Sequence, residues 1–520
     1  MKNLPIGIQS FAKLRQRDCL YVDKTKDILQ LITTGGVYFL SRPRRFGKSL
    51  LVSTIEEVFK GNKPLFEGLY IYDNWDWTQQ YPVIRLDLAG FDHRTAENLQ
   101  KDIERVITNI AQLYGIILTR NAAGGFSELI QKLHETTGKQ VVVLVDEYDK
   151  PITEHLLNPD EVTANRKILH SFFQILKAAD EHLRFVFFTG VSKFSGVSIF
   201  SALNNLNDIT LDVKYASICG LTQQELENYF ADYIDDVAQQ VDMSRKDLLT
   251  EIRVNYDGYS WDGKTPVYNP FSTLMFFDKK RFANYWFRTG TPTFLIDLLK
   301  KRNQIASIFS PIQTEEDAFD SYDPNRISEI PLLFQTGYLT IKQAKMTLGR
   351  AQFTLGVPNS EVNDSLLRYL LSAYSEYPAD LVSDLRNNMQ RQIQSCDVSA
   401  FEQSLRSMLA NIPYNLHIPS EAYYHSLLLL WIKMLGFDIQ GEVLTNIGRI
   451  DAVWYQPELT VVAEIKYHAK TKLDTLLNEA MAQINDRKYY EKYLDHKVIL
   501  MAVAFSGREV GCRIKELSEP

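Results

Sequence analysis

Leu40-Ser41-Arg42-Pro43-Arg44-Arg45-Phe46-Gly47-Lys48-Ser49-Leu50 is the stretch on which the reading of the fold turns. The apolar run Val37-Tyr38-Phe39-Leu40 leads into it, and Leu50-Leu51-Val52-Ser53-Thr54-Ile55 leaves it with the character of a helix. Strand, short polar loop and helix, in that order, make unpaired backbone N–H groups and the positive end of the helix dipole converge on an anion. Lys48 supplies charge for the terminal phosphates of a nucleotide, and the Ser49 hydroxyl supplies a ligand for Mg²⁺. The segment from Arg44 and Arg45 through Phe46, Gly47, Lys48 and Ser49 to Leu50 is therefore the expected nucleotide-binding loop, with ATP and Mg²⁺ as cofactors. The usual pattern opens with a glycine where this chain has Arg42, and Pro43 beside it has no N–H to donate. The first bend must be made differently, with Arg44 or Arg45 also facing phosphate. The alternative is a plain strand-to-helix turn whose Lys48 points at solvent.

A second signal lies downstream. Gln140-Val141-Val142-Val143-Leu144-Val145-Asp146-Glu147-Tyr148-Asp149 reads as a strand buried on both faces whose C-terminal end carries acid. Ligands of open α/β sheets gather at that edge. Asp146 fits the carboxylate that holds the metal, and Glu147 the one that activates water. Pro82-Val83-Ile84-Arg85-Leu86-Asp87-Leu88 and Leu183-Arg184-Phe185-Val186-Phe187-Phe188 supply further strands. The second ends in Thr189-Gly190-Val191-Ser192-Lys193, which makes Thr189, Ser192 and Lys193 candidate sensors of the γ-phosphate. Phe11 to Thr25, just upstream of the phosphate loop, is offered either to a nucleotide base or to ordinary packing on the sheet.

The bulk properties narrow the class. At 520 residues, 45% hydrophobic and 23% charged, the chain has the composition of a soluble globular protein of several domains. A net charge of −7 argues against a protein that coats nucleic acid through a broad basic surface. Cys19, Cys219, Cys396 and Cys512 are scattered without CxxC spacing, so neither a zinc site nor a disulfide framework is indicated and a cytoplasmic location is expected. No run approaches the ~20 apolar residues of a membrane span, so no membrane partner is expected.

From Leu221 the pattern turns helical, with Thr222-Gln223-Gln224-Glu225 a capping box. The aromatics of Tyr256-Asp257-Gly258-Tyr259-Ser260-Trp261 and Tyr285-Trp286-Phe287 read as the core of a lid packed on the nucleotide domain, and Arg288 is a candidate for reaching a phosphate in a neighbouring copy of a homo-oligomer. Leu332 to Ile341 with Phe353-Thr354-Leu355 suggests a helix finished by a hairpin, winged-helix-like. The expected division is 1–220 for the phosphate-loop core, 221–300 for the lid, 301–410 for a helical, winged-helix-like connector and 411–520 for a last domain.

That last domain carries a second set of acids. A helix from Glu421 is followed by strands Phe437–Val443, Arg449–Trp454 and Leu459–Lys466, a helix from about Leu473 to Tyr490, and a strand Val498–Ala504. Alternation puts Glu464 and Lys466 on one face with Ile465 turned away. If the hairpin brings Asp451 beside Glu464, Asp451 and Glu464 with the Ile465 carbonyl are expected to ligate Mg²⁺, while Lys466 positions the nucleophile or steadies the transition state. Glu421 would hold a second metal or a water, and Gln483 and Tyr490, seven apart on one helical face, would border the site. The plain alternative is a surface salt bridge between Glu464 and Lys466. From Asn411 to Pro520 there are 12 Lys and Arg against 14 Asp and Glu, so affinity for a polyanion has to come from one face, from a metal or from the other domains.

Tyr21-Val22-Asp23-Lys24-Thr25, Arg42 to Ser49, Asp146-Glu147-Tyr148-Asp149, Thr189 to Ser195 and Thr336-Gly337-Tyr338 together resemble the AAA-ATPase-like proteins, whose members end in a PD-(D/E)XK nuclease-superfamily domain as Asp451 with Glu464-Ile465-Lys466 does here. In that family an arginine at the first position of the phosphate loop is usual, so the resemblance removes Arg42 as an objection. It implies an α/β fold: a P-loop NTPase parallel sheet with a helical lid and a winged-helix-like middle region, then an α/β restriction-endonuclease-like domain. The function expected is ATP binding and hydrolysis coupled to a metal-dependent nuclease-like domain acting on nucleic acid, DNA before RNA, with roles in mobile elements or defence commonly supposed. The rival is a nucleotide switch whose last domain binds nucleic acid or protein without cutting.

Overall fold

The computed structural model describes all 520 residues except 121, 157, 194–202, 204, 287–310, 321–328, 348, 376–381, 411–419, 435–437, 446–447, 457–458, 489, 494–496 and 518–520. Arg288 lies outside the described residues. The chain forms two compact units, Met1–Gly290 with Gln313–Glu361, and Thr291–Ile312 with Val362–Pro520.

In the first unit five strands, β1 (Gly36–Ser41), β2 (Val83–Asp87), β3 (Val141–Asp146), β4 (Leu183–Gly190) and β5 (Leu206–Asp208), form a sheet in the order β2-β3-β4-β1-β5. All four neighbouring pairs are parallel. A parallel sheet needs cover on both faces, and successive side chains of β4 show how it gets it. Phe185 meets Phe59 of helix Lys48–Phe59 at 5.5 Å, and Phe188 meets Phe173 of helix Pro159–Phe173 at 4.9 Å. Odd and even positions point to opposite faces, so the two helices cover opposite sides. The insertion of β4 between β1 and β3 brings the ends of these three strands to one edge of the sheet.

Four helices, Gln223–Tyr229, Ala231–Gln240, Arg245–Tyr256 and Pro270–Lys279, pack around Leu226, Phe230, Ile234, Leu248, Ile252 and Phe276 as the helical lid. The first opens on the expected capping box, Thr222 with Glu225. Helix Glu329–Thr336 then leads into the hairpin β7 (Thr340–Thr347) and β8 (Arg350–Gly356), with β6 (Ile312–Glu315) on the outer side of β8. This winged-helix-like region is stitched to the first unit. The Thr340 hydroxyl donates to the Ser260 carbonyl at 2.9 Å and accepts from the Ser260 amide at 2.7 Å. Residues 313–361 go with the first unit and 362–410 with the second.

The second unit is built on β9 (Asp438–Thr445), β10 (Gly448–Gln456), β11 (Leu459–His468), β12 (Lys497–Ser506) and β13 (Glu509–Leu517), in the order β13-β12-β11-β10-β9. Only β11 and β12 run parallel. Tyr424 of helix Glu421–Met434 stacks on Tyr467 at 4.7 Å and on Phe505 at 4.6 Å. Leu476, Leu477 and Ala480 of helix Leu473–Arg487 pack with Ala502 and Ala504. The parity of these strand positions puts the two helices on opposite faces, the latter on the side of Glu464 and Lys466. β13 was not expected. Helix Val398–Ala410 packs with it, its Glu402 accepting the Cys512 amide at 3.1 Å. The helix expected to reach Tyr490 stops at Arg487, closed by Lys488 in the left-handed region at φ 45°. Tyr490 instead packs with the Ile450, Val453, Val462 and Ile484 cluster, so it does not share a helical face with Gln483. No helix of the described residues is long and apolar enough to cross a membrane.

Candidate functional site

The phosphate loop leaves β1 at Arg42, and Arg42 is fully buried. Its guanidinium donates to the carbonyls of Ser41 at 2.8 Å, Thr210 at 2.9 Å and Tyr215 at 3.1 Å, and lies 4.0 Å over the Trp261 ring. Burial pulls its pKa down to about 10. Arg42 thus makes the first bend by tying the strand end to the segment after β5, and its charge faces backbone and an indole. Pro43 packs where Gly337, at φ 90°, leaves room: a Cβ there would come within 2.8 Å of the proline ring. Arg44 and Arg45 are exposed, the first with its carbonyl held by the Trp286 indole at 3.1 Å, the second 4.9 Å over Phe271. Phe46 is buried edge-on to Tyr259 at 4.8 Å and Trp261 at 5.4 Å. Gly47 caps the helix at φ 89°, a conformation that favours glycine.

Lys48 is buried rather than solvated, donating to the carbonyls of Arg42 at 2.9 Å and Pro43 at 3.1 Å. An ammonium has three N–H donors, so one remains for a phosphate oxygen. Burial lowers its pKa, and Glu147, Asp146 and Asp149 oppose that fall, in that order. The loop lysine and the acids at the end of β3 therefore share one neighbourhood. Ser49 and Leu50 are half-buried in the first turn of the helix, and the Ser49 hydroxyl makes no hydrogen bond among the described residues.

Asp146 is fully buried. Its Oδ1 accepts from the Thr189 hydroxyl at 2.5 Å and from the Glu147 amide at 3.1 Å, while its Oδ2 has no partner among the described residues. A buried carboxylate oxygen without a donor is costly, and a cation satisfies it. The donor set thus fits Mg²⁺, which takes one or two carboxylates with phosphate and water. Glu147 is half-buried at φ 49°, a backbone conformation unusual for a side chain with Cβ. Of the three candidate sensors, Thr189 binds Asp146, Ser192 is buried with a hydroxyl that makes no hydrogen bond among the described residues, and Lys193 pairs with Asp208 at 2.8 Å.

Beside Gly47 and Leu50 opens an apolar cleft of about 640 Å³ including its mouth, lined by Leu20, Tyr21 and Val22 and also by Leu221, Phe230, Pro270 and Leu274. Its apolar lining, beside the start of the loop helix, is of the kind that accepts a flat heterocycle. The segment upstream of the loop packs on the loop helix, its Phe11 amide donating to Ser53 Oγ at 3.0 Å, and lines the cleft through Tyr21 and Val22. The lid residues in the cleft were not found from sequence. Pro270 starts a helix behind the Asn269 cap, which marks a helix terminus and says nothing of a ligand.

In the second unit the β10–β11 ladder ends at Ala452 opposite Ala463. Asp451 and Glu464 are the next residues outward, and the charge of Asp451 acts on Glu464. Asp451, within β10, accepts the Ile465 amide through Oδ2 at 2.9 Å. Glu464 is buried, accepts from the Lys466 ammonium at 2.9 Å through Oε1, and has no partner at Oε2 among the described residues. Burial and then the charge of Asp451 raise its pKa to about 7. Burial also works against the charge on Lys466, but Glu464, Asp451 and Glu421 outweigh it and raise the ammonium above its usual range. Glu421 is exposed at the start of its helix, Gln483 is half-buried on helix Leu473–Arg487, and Ile465 is buried. His425, one turn after Glu421, lies 2.8 Å from the Asp451 carbonyl through Nε2, a contact the sequence did not announce. Among the described residues no three His, Cys, Asp or Glu side chains form a metal cage. The unpartnered Glu464 oxygen beside Asp451 still fits a divalent ion that keeps most of its ligands as water and phosphate.

Residues 5–200 match the family described as predicted AAA-ATPase, and residues 419–515 match the PD-(D/E)XK nuclease superfamily. An uncharacterized protein in the vnfD 5′ region of Azotobacter chroococcum mcd 1 is 38% identical over 514 residues, covering 97% of this chain and 96% of that protein. The chain belongs to the AAA-ATPase-like family. Its AAA-type sheet and its nuclease-superfamily sheet are the two units already described. Among solved structures, Aeropyrum pernix ORC2 in its ADPNP–ADP complexes is 11% identical, over 67% of this chain and 90% of that one, with a TM-score of 0.25.

Proposed function

We propose that the chain binds and hydrolyses Mg·ATP at the Lys48–Asp146 site and couples turnover to a metal-dependent nuclease-like domain acting on nucleic acid, DNA before RNA. The observation that carries the first half is the unpartnered, buried Oδ2 of Asp146 in the neighbourhood of Lys48, beside an apolar cleft. In this reading residues 1–220 hold the phosphates, 221–300 close over the base, 301–410 connect and 411–520 carry the second reaction. Ser49 and Asp146 hold Mg²⁺, which offsets phosphate charge when bound. Lys48 contacts the terminal phosphates and Ser192 the γ-phosphate. Glu147 takes a proton from water as its oxygen attacks the γ-phosphorus, and the bond to the bridging oxygen breaks to give ADP and phosphate.

In the second unit Asp451, Glu464 and the Ile465 carbonyl hold a divalent ion, which supplies charge stabilisation at a scissile phosphodiester when bound. Lys466 orients the attacking water, with Glu421 and Gln483 at the border. Glu147→Gln is expected to keep ATP binding and lose turnover by at least about a hundredfold; turnover at the parental rate contradicts the role of Glu147. Asp451→Ala or Lys466→Ala is expected to abolish Mg²⁺- or Mn²⁺-dependent cleavage of mixed DNA and RNA substrates. Cleavage that survives both changes contradicts the second site. Nucleic-acid binding without cleavage by the parental chain favours the switch.

A further inference from the structure

The turn after β4 is held by a buried acid, Asp149. Its carboxylate accepts the Ser192 amide at 2.7 Å and the Val191 amide at 3.1 Å to Oδ2 and 3.2 Å to Oδ1. The rest of the turn is equally committed. The Gly190 carbonyl accepts from the Arg42 amide at 3.2 Å, the Val191 carbonyl from the Ser41 hydroxyl at 2.5 Å, and the Ser192 carbonyl from the Tyr148 hydroxyl at 2.8 Å. The Thr189 carbonyl accepts the Tyr148 amide at 3.0 Å. Main-chain groups from Thr189 to Ser192 are thus tied to the end of β1 and the end of β3, and the Ser192 hydroxyl is left over. There is no slack in the fit: a Cβ on Gly190 would stand 2.6 Å from Asp149 Oδ1 and 2.7 Å from the Tyr148 ring.

We propose that Asp149 is a positioning residue that reads the γ-phosphate through Ser192. By consuming the amides of Val191 and Ser192 it removes them as phosphate donors and fixes the Ser192 hydroxyl as the group that distinguishes a triphosphate from a diphosphate. The proposal rests on the nucleotide-binding reading of the Lys48–Asp146 site. Lys48 and Glu147 of that site both act on the Asp149 carboxylate through their charge. Asparagine cannot replace aspartate here, because its NH₂ offers a donor where two amides already donate. Glutamate adds a methylene to a space that would not admit one on Gly190.

The test is a double-mutant cycle on the full chain, using Asp149→Asn, Ser192→Ala and both together, with the affinities for Mg·ATP and Mg·ADP as readout. Each single change is expected to reduce the preference for ATP over ADP about tenfold, the value of one hydrogen bond to a charged group, with ADP affinity within about twofold of the parent. The double variant is expected to lose no more than the larger single loss, since one residue acts through the other. Asp149→Glu is expected to rescue nothing. Losses that multiply, or an equal fall in ADP and ATP affinity, overturn the proposal. Parental binding without turnover would contradict hydrolysis while leaving this cycle decisive, and a parental chain that binds neither nucleotide overturns both.

Discussion

Arg42 shows how a departure from a common pattern is compensated at the level of one side chain. A glycine opens most phosphate loops because the chain bends tightly there, whereas here a buried guanidinium makes the bend by satisfying the carbonyls of Ser41, Thr210 and Tyr215. Arg42→Gly restores the common pattern yet is expected to cost about 2 to 4 kcal/mol in urea unfolding, because three buried carbonyls lose their donor. Stability equal to the parent would show that Arg42 does not build the loop. Glu361 supplies a second residue-scale outcome. It is buried, accepts from Ser272 Oγ and the Trp286 amide at 2.7 Å each, and burial raises its pKa to about 7 from an ordinary 4.5. Between those values the folded chain keeps a proton that the unfolded chain has lost, so unfolding free energy falls as pH rises through the window and levels off above about 7. The fall amounts to at most about 3 kcal/mol. Glu361→Gln is expected to remove that part of the pH dependence, as measured by urea unfolding at pH 5 and pH 8; an unchanged difference contradicts the buried-acid account.

At the scale of elements, the end of β4 is closely packed against Asp149 and Tyr148. Gly190→Ala forces a methyl against Asp149 and Tyr148, and overpacking of that kind is expected to cost about 1 to 3 kcal/mol and to weaken ATP more than ADP. Equal loss for both nucleotides would argue that the turn does not face the γ-phosphate. The elements that could be read from sequence share a cause. β1, β3 and β4 are continuous apolar runs because both faces are covered, and the capping box at Thr222 is a local hydrogen-bond pattern. β5 and β13 escaped notice for the opposite reason. Leu206–Asp208 is three residues at a sheet edge, and Glu509–Leu517 is an edge strand with charged positions along it, so neither shows a run or a clean alternation. The helix end at Lys488 depends on a left-handed residue that is neither glycine nor asparagine, which leaves no mark in the sequence.

At the scale of the whole chain, the two acid clusters stand out in the sequence because each sets acids against an apolar run, Asp146 and Glu147 at the end of β3 and Glu464-Ile465-Lys466 within β11. The apolar cleft does not, since its walls come from two distant segments, residues 5–51 and 218–274, whose side chains are mostly ordinary apolar ones. The grouping of 313–361 with the first unit rests on buried hydrogen bonds such as Thr340 with Ser260, and spacing alone does not encode them. The two units carry their sites on separate sheets, so Asp451→Ala is expected to leave ATP affinity within about twofold. A large loss would mean that the sites are not built independently. The claim beneath all of this is that Lys48 and Asp146 form one Mg·ATP site. Equilibrium binding of Mg·ATP to the full chain and to its Lys48→Ala variant tests it most directly: the account predicts saturable one-site binding by the parent and a loss of about ten- to a hundredfold in the variant, and equal affinity in the two proteins would contradict it.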